Sequence, residues 1–274
     1  MNKTSADIFE TIRSRVRTQQ LSPGQTLPPV RQLAQELGVN RNTVAAAYKR
    51  LVAAGIAETR GRHGTVICQT AAPGEQEGGI GHFRLFELSS GNPNPMWLPD
   101  PALALAQQQP RLRLYGDEPV DPGFHDVVCR WLTDDCPSPP EIDLAHGAVD
   151  AVERLLAAYL VADDKVAVES PCFISSINTL RIAGLQAVGV PVDEYGMQAA
   201  PLEAALAKGV QAVLITPRAH NPTGASVSAE RAAQIRAVLD RYPQVLVLVD
   251  DHFALLSDAK FHQVIPPSSR RWAL

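Results

Sequence analysis

Two groups of residues in this 274-residue chain have types and spacings that could do chemistry. The first starts at Asn40, a residue suited to cap a helix, and continues directly into Arg41, Asn42 and Thr43. Reading base edges in a major groove needs short polar or basic side chains on the first turn of a helix, because that turn faces the bases. Arg31, at the start of the preceding predicted helix, can reach a phosphate or a guanine. Arg60, Arg62 and His63, with Gly64, form a basic turn between two short strand patterns and can enter a flanking minor groove. Arg13, Arg15 and Arg17 read as solvated surface charge. The second group is Asp250 with its neighbour Asp251, which the apolar run VLVLV, residues 245–249, would deliver to the carboxyl edge of a sheet. Cys68, Cys129, Cys136 and Cys172 have neither C-x-x-C spacing nor a nearby His pair, so they read as reduced thiols rather than a zinc site, and no metal is expected.

The elements that must position these residues follow from periodicity. Residues 5–18 place Ile8, Ile12 and Val16 on one helical face, with Ser5 as a candidate cap. Residues 30–37 make a short second helix stopped by Gly38, and residues 41–53 a third that ends at Gly55. Strand patterns at 56–60 and 65–68 flank the basic turn. The order helix, helix, turn, helix, hairpin is that of a winged helix-turn-helix. Further on, helical patterns at 147–161, 175–183, 202–208 and 229–241 alternate with strand patterns at 165–169, 185–191, 210–215 and 245–249. Such alternation predicts an α/β fold with a mainly parallel sheet covered on both faces. Residues 69–82 have no hydrophobic period and read as a linker, giving a head at 1–68 and a body at 83–274.

Charge follows the same division. Residues 1–68 carry ten basic and four acidic side chains, while the remainder carries fifteen basic and twenty-five acidic ones. A basic head on an acidic body implies that only the head meets a polyanion, here a double-stranded DNA operator. The N-terminus lacks the apolar run of a signal peptide and no 18-residue apolar stretch is present, so a cytoplasmic protein with no membrane partner is expected.

Residues 27–67 carry LP-x-x-R-x-LA, G-V-x-R-x-TV, L-x-x-x-G and a wing ending in G-T, and over this stretch the chain resembles the GntR family of transcriptional regulators. The resemblance assigns DNA contacts to Arg31, Arg41, Asn42, Thr43, His63 and Gly64. Ala45 stands where many relatives place a further DNA-contacting Arg, which puts base choice there in question. The body resembles the fold type I aminotransferases through RAHNPTG (218–224), VLVLVDD (245–251), ESPCF (169–173) and HGAVDAV (146–152), with SSGNPNP (89–95) and LYGD (114–117) upstream. Head and body together resemble the MocR subfamily.

That resemblance implies a pyridoxal phosphate site. Asn221 would bond the phenolic oxygen, and Asp250, or alternatively Asp251, would hold the pyridine nitrogen. Phe173 would stack on the ring, and the backbone amides of Ala148 and Val149 would bind the phosphate at a helix N-terminus. Several positions depart from the pattern. No hydroxyl follows Gly147, Val120–Asp121 replaces the usual Gly-Leu, and His252 and Phe253 occupy the place of an expected Tyr, with His252 expected to border the cofactor in its stead. The family's cofactor-linking lysine would lie a few tens of residues past the sheet Asp. Only Lys260 follows Asp250, and Leu274 is 24 residues beyond it, so the chain is expected to be truncated relative to the family and to have no catalytic residues. The expected function is therefore a DNA-binding regulator that senses a vitamin B6 vitamer or an amine or amino acid, with cofactor held non-covalently and the complete protein a homodimer. Alternatives are an aminotransferase with an accessory DNA-binding head, and a DNA-binding repressor with an inert body.

Overall fold

The computed structural model describes residues 3–61, 64–68, 93–107, 112, 114–137 and 139–274. They fall into two compact units, one within Met1–Thr70, Trp131–Pro140 and Ala145–Leu274, the other within Ala71–Arg130 and Glu141–Leu144.

In the first unit the chain opens with α1 (Ser5–Arg17), α2 (Val30–Leu37) and α3 (Arg41–Ala53), then a hairpin of β1 (Ala57–Thr59) and β2 (Thr65–Ile67). The cap of α1 is Thr4 rather than the expected Ser5. Thr4 prevails because Asp7 stands three residues beyond it: the Asp7 N–H donates to the Thr4 hydroxyl at 3.2 Å, and the Thr4 N–H donates to the Asp7 carboxylate at 2.8 Å. A cap at Ser5 would have put Ile8 in that reciprocal position. The turn between α2 and α3 is built as the sequence predicts, with Gly38 left-handed at φ 65° and the Asn40 side chain accepting from the Asn42 N–H at 2.8 Å. Ile8, Phe9, Ile12, Leu27, Ala34, Val44, Ala47, Leu51 and Ile67 close a single small core around α3. The buried Tyr48 ties α3 to the start of α2 by donating its hydroxyl to the Pro28 carbonyl at 2.7 Å.

The second unit contains a short 3-10 turn (Pro95–Trp97), α4 (Pro101–Ala106) and most of α5 (Pro122–Leu132). At LYGD the Leu114 N–H donates to the Asp117 carboxylate at 2.8 Å and Gly116 takes φ 95°, making a self-contained turn.

The body of the first unit is a six-stranded sheet flanked by α6 (Ala148–Tyr159), α7 (Ile174–Ile182), α8 (Ala199–Leu206) and α9 (Ala229–Leu239). Its strands are β3 (Lys165–Ser170), β4 (Gln186–Asp193), β5 (Gly196–Met197), β6 (Ala212–Ile215), β7 (Leu246–Val249) and β8 (Trp272–Ala273). Their order is β5-β4-β3-β6-β7-β8, and every pairing is parallel except the β4–β5 edge. Strand alternation decides the faces. Val166, Val168, Ala212, Leu214, Leu246 and Leu248 pack with Leu156 of α6 and Leu180 of α7. Ala167, Val213, Ile215, Val247 and Val249 pack on the other side with Leu202 of α8 and Ile235 of α9. β6 and β7 are apolar and buried throughout because both faces are covered, whereas β4, nearer the sheet's edge, leaves several residues exposed. No helix among the described residues is long and apolar enough to cross a membrane.

Leu248 is 2 % exposed at the centre of this sheet. Leu248→Ala is expected to destabilise the body by about 2–5 kcal/mol, read by denaturant unfolding. Replacing the cap by Asn40→Ala should cost about 0.5–2 kcal/mol, read as lost stability of the head.

Candidate DNA-reading face and ligand pocket

In the head, Arg41, Asn42 and Thr43 occupy the first turn of α3, with Arg41 and Asn42 exposed and Thr43 half-buried. The next residue, Val44, is fully buried, and Ala47 and Leu51 follow it into the core, so packing fixes the rotation of α3 and turns its first polar residues outward. Arg31 is exposed on the first turn of α2. Arg60 lies just past β1, its guanidinium Nε donating to Glu58 Oε1 at 2.8 Å. An exposed pair of this kind is worth at most about 1 kcal/mol, so a phosphate can displace the carboxylate. Gly64 takes φ 77°, which closes the wing without the strain a side chain would bring there. Arg62 and His63 lie outside the described residues.

In the body, the parallel register of β3, β6 and β7 brings the segments that follow them to one edge of the sheet. Phe173 follows β3 at the start of α7, Asn221 follows β6, and Asp250 follows β7 directly. A cavity of about 290 Å³ opens near this edge, lined by Ala148, Val152, Leu155 and Leu248 and by the polar Asp135, Arg218, Asp250, Asp251 and His252. Of the six residues the sequence assigned to a cofactor, Ala148, Asp250 and His252 line it, whereas Val149, Phe173 and Asn221 do not.

The two neighbouring acids differ in their bonding. Asp251 is engaged by Arg218, whose Nε donates to Asp251 Oδ1 at 3.0 Å and whose Nη2 makes a second contact to Oδ2. Arg218 also stacks over Phe261, 5.3 Å from the ring centroid. Asp250 has no such guanidinium among the described residues. Burial pushes its carboxyl above the ordinary range, opposed mainly by the charge of His252 and a bond from the His252 backbone. Asp135, at the same cavity, is also pushed up by burial.

At the other end of the cavity α6 begins. Gly147 takes φ 96° and no side chain caps the helix, leaving the first-turn amides of Ala148 and Val149 without an intrahelical acceptor. The helix start is uncapped because its N-cap residue, Gly147, has no side chain.

The sequence analysis did not single out Arg218, Asp135 or Trp131, which also line the cavity, nor the buried contact of Glu169 with His220. Glu169 carried a signal, since a charged residue ending the apolar run KVAVE is unusual unless it has a partner. Asp135 and Trp131 gave none, because they reach the cavity from a segment distant in sequence.

Comparison with known proteins fits this architecture. Residues 4–67 match the family described as "Bacterial regulatory proteins, gntR family", and residues 84–267 match "Aminotransferase class I and II". A "Vitamin B6 salvage pathway transcriptional repressor PtsJ" of Salmonella typhimurium is 53% identical over 99% of this chain and 63% of its own length. An "HTH-type pyridoxine biosynthesis transcriptional regulator PdxR" of Corynebacterium glutamicum is 28% identical over 88% of this chain and 54% of its own length. The chain therefore spans between about half and two thirds of these relatives. Among solved structures, an archaeal alanine:glyoxylate aminotransferase superposes at TM-score 0.51 with 23% identity over 58% of this chain and 42% of its own, a likeness of fold. The chain belongs to the aminotransferase class I and II family and carries a gntR-family helix-turn-helix head, the combination found in MocR-like regulators.

Proposed function

We propose that this chain is the DNA-binding and effector-sensing part of a transcriptional regulator that responds to pyridoxal phosphate or a related vitamin B6 vitamer. The observation that carries the reading is the union on one chain of an outward-facing Arg41-Asn42-Thr43 turn and a cavity bounded by Asp250 and an uncapped helix start. The two relatives quoted above, named as vitamin B6 regulators, support the choice of effector.

The residues present suit the cofactor at two of its ends. The amides of Ala148 and Val149 would receive the phosphate at the positive end of α6. Asp250, rather than the Arg218-bound Asp251, would face the pyridine nitrogen, and a protonated nitrogen would hold its carboxylate ionised despite burial. His252 would border the ring, while Phe173 and Asn221 would approach from their loops on the same edge. When bound, pyridoxal phosphate supplies an aldehyde and an electron-withdrawing ring. The role assigned to this chain is recognition rather than transamination, in keeping with relatives that are named as regulators. The protein is placed in the cytoplasm, where its operator is. Two copies would set two heads on paired half-sites, with the effector altering how those heads sit.

Arg41→Ala is expected to weaken operator binding by about 1–3 kcal/mol in a gel-shift titration. Undiminished affinity in that variant would remove α3 as the recognition helix. Asn221→Ala and Asp250→Ala are each expected to lower affinity for pyridoxal phosphate roughly 10- to 100-fold by absorbance titration, with DNA affinity in the absence of cofactor unchanged. Equal cofactor affinity in all three proteins would remove the assigned pocket, and turnover of an amino donor by the wild type would favour the aminotransferase reading.

A further inference from the structure

Beneath the sheet edge lie two titratable side chains that touch neither the cavity nor solvent. Glu169, near the end of β3, is 3 % exposed, and His220, at the start of the loop after β6, is 2 % exposed. Glu169 Oε2 accepts the Thr216 N–H at 3.1 Å and lies 3.3 Å from His220 Nε2. On the far side of the imidazole, Nδ1 is 2.7 Å from the Thr223 hydroxyl, whose oxygen already accepts the Ala225 N–H at 3.2 Å. With Thr223 donating to Nδ1, the proton of a neutral imidazole is on Nε2, on the side of Glu169. The loop closes on His220 in the backbone too, through His220 N–H to Ala225 O at 2.8 Å and Gly224 N–H to His220 O at 2.6 Å. Asn221 sits inside this closed loop.

The proton of Glu169 can then be located. Oε2 receives the Thr216 N–H and lies beside Nε2, while Oε1, like Nε2 itself, is buried with no hydrogen-bond partner among the described residues. A protonated carboxyl would carry its hydrogen on Oε1. The groups acting on Glu169 from other elements are the Thr216 N–H, which favours the ionised form, and Asp250 just past β7, the strand beyond β6, which opposes it. Cys172, two residues past the end of β3, has its thiol pushed up to about 11, first by burial and then by Glu169. Burial pushes Glu169 up to about 8 and pushes His220 below its ordinary value, so both are uncharged near neutral pH.

We propose that Glu169 and His220 form a buried positioning pair, with Glu169 in its protonated form, that roots the Asn221 loop and reserves the negative charge of the sheet edge for Asp250. The charge of Asp250 opposes ionisation of Glu169, and Asp250 is the one that reaches the cavity. In its ligand-binding consequence the proposal rests on the reading of the cavity as a pyridoxal phosphate site, but the state of the pair does not.

The test uses the whole chain with Glu169→Gln, a neutral isostere, and Glu169→Ala. Thermal unfolding without ligand is recorded from about pH 5 to about pH 9.5, and pyridoxal phosphate titrations over the upper half of that range. An acid whose folded pKa lies above its unfolded one adds stability that is complete below the unfolded value and is lost as pH rises through the folded value. The melting temperature of the wild type should therefore fall relative to that of E169Q between about pH 5 and about pH 8, then run parallel to it. The ratio of wild-type to E169Q cofactor affinity should show an inflection near pH 8, in which titrations of the ligand itself cancel. E169A should bind at least tenfold more weakly than E169Q at every pH. A constant difference in melting temperature between wild type and E169Q, or E169A binding as well as E169Q, overturns the proposal. If the wild type takes up no pyridoxal phosphate, the cofactor reading fails while the ligand-free melts still decide the pair. Should E169Q not fold, the carbon NMR titration of the Glu169 carboxyl in the wild type decides instead: a midpoint in the ordinary carboxylate range contradicts it.

Discussion

The parallel pairing of β3, β6 and β7 is the constraint on which the body depends. Because Val213 pairs with both Ala167 and Val247, and Ile215 with Val249, the three strands run in one direction and end together. Everything chemical then collects at one edge, whichever helix intervenes in the chain: Glu169 and Phe173 after the first strand, Thr216 to Asn221 after the second, Asp250 to His252 after the third. The Asp250 N–H donating to Ile215 O at 2.9 Å continues the ladder one residue into the site, so the acid is held by the sheet itself rather than by a loop. Apolar cores on both faces exclude water from beneath it, and that exclusion raises the carboxyls of Glu169 and Asp250 together.

The head obeys a separate and simpler rule. Its core is small, and α3 contributes Val44, Ala47, Tyr48 and Leu51 to it, so a single apolar stripe orients the helix. With that stripe inward, Arg41 and Asn42 have only solvent or a ligand to face. Stability and recognition are thus divided between the two sides of one helix, and a change on the polar side leaves the fold intact.

Most of the fold was legible in the sequence. Short apolar runs rich in Val and Leu marked β3, β6 and β7, and caps and glycines marked α2 and α3 to within a residue. The cap of α1 was misplaced by one position because Thr4 and Ser5 offer the same hydroxyl, and only the reach of Asp7 separates them. The site was legible in part. Asp250 and Ala148, which line the candidate cavity, were singled out because a strand end and a glycine-led helix start announce themselves locally. Phe173 and Asn221 lie at the expected edge, but their distance from the cavity depends on loop geometry that no spacing encodes. Arg218 escaped notice although it stands in the motif that named Asn221, because its bond to Asp251 joins segments 33 residues apart in the chain.

The account stands or falls on whether occupancy of the pocket is felt at the DNA. The most direct measurement is the affinity of the purified chain for its own upstream DNA, by gel shift, with and without saturating pyridoxal phosphate at fixed salt. Operator affinity should change reproducibly on adding the cofactor, and the change should be lost in Asp250→Ala. Operator affinity that is identical with and without cofactor, while absorbance shows the cofactor bound, would contradict it.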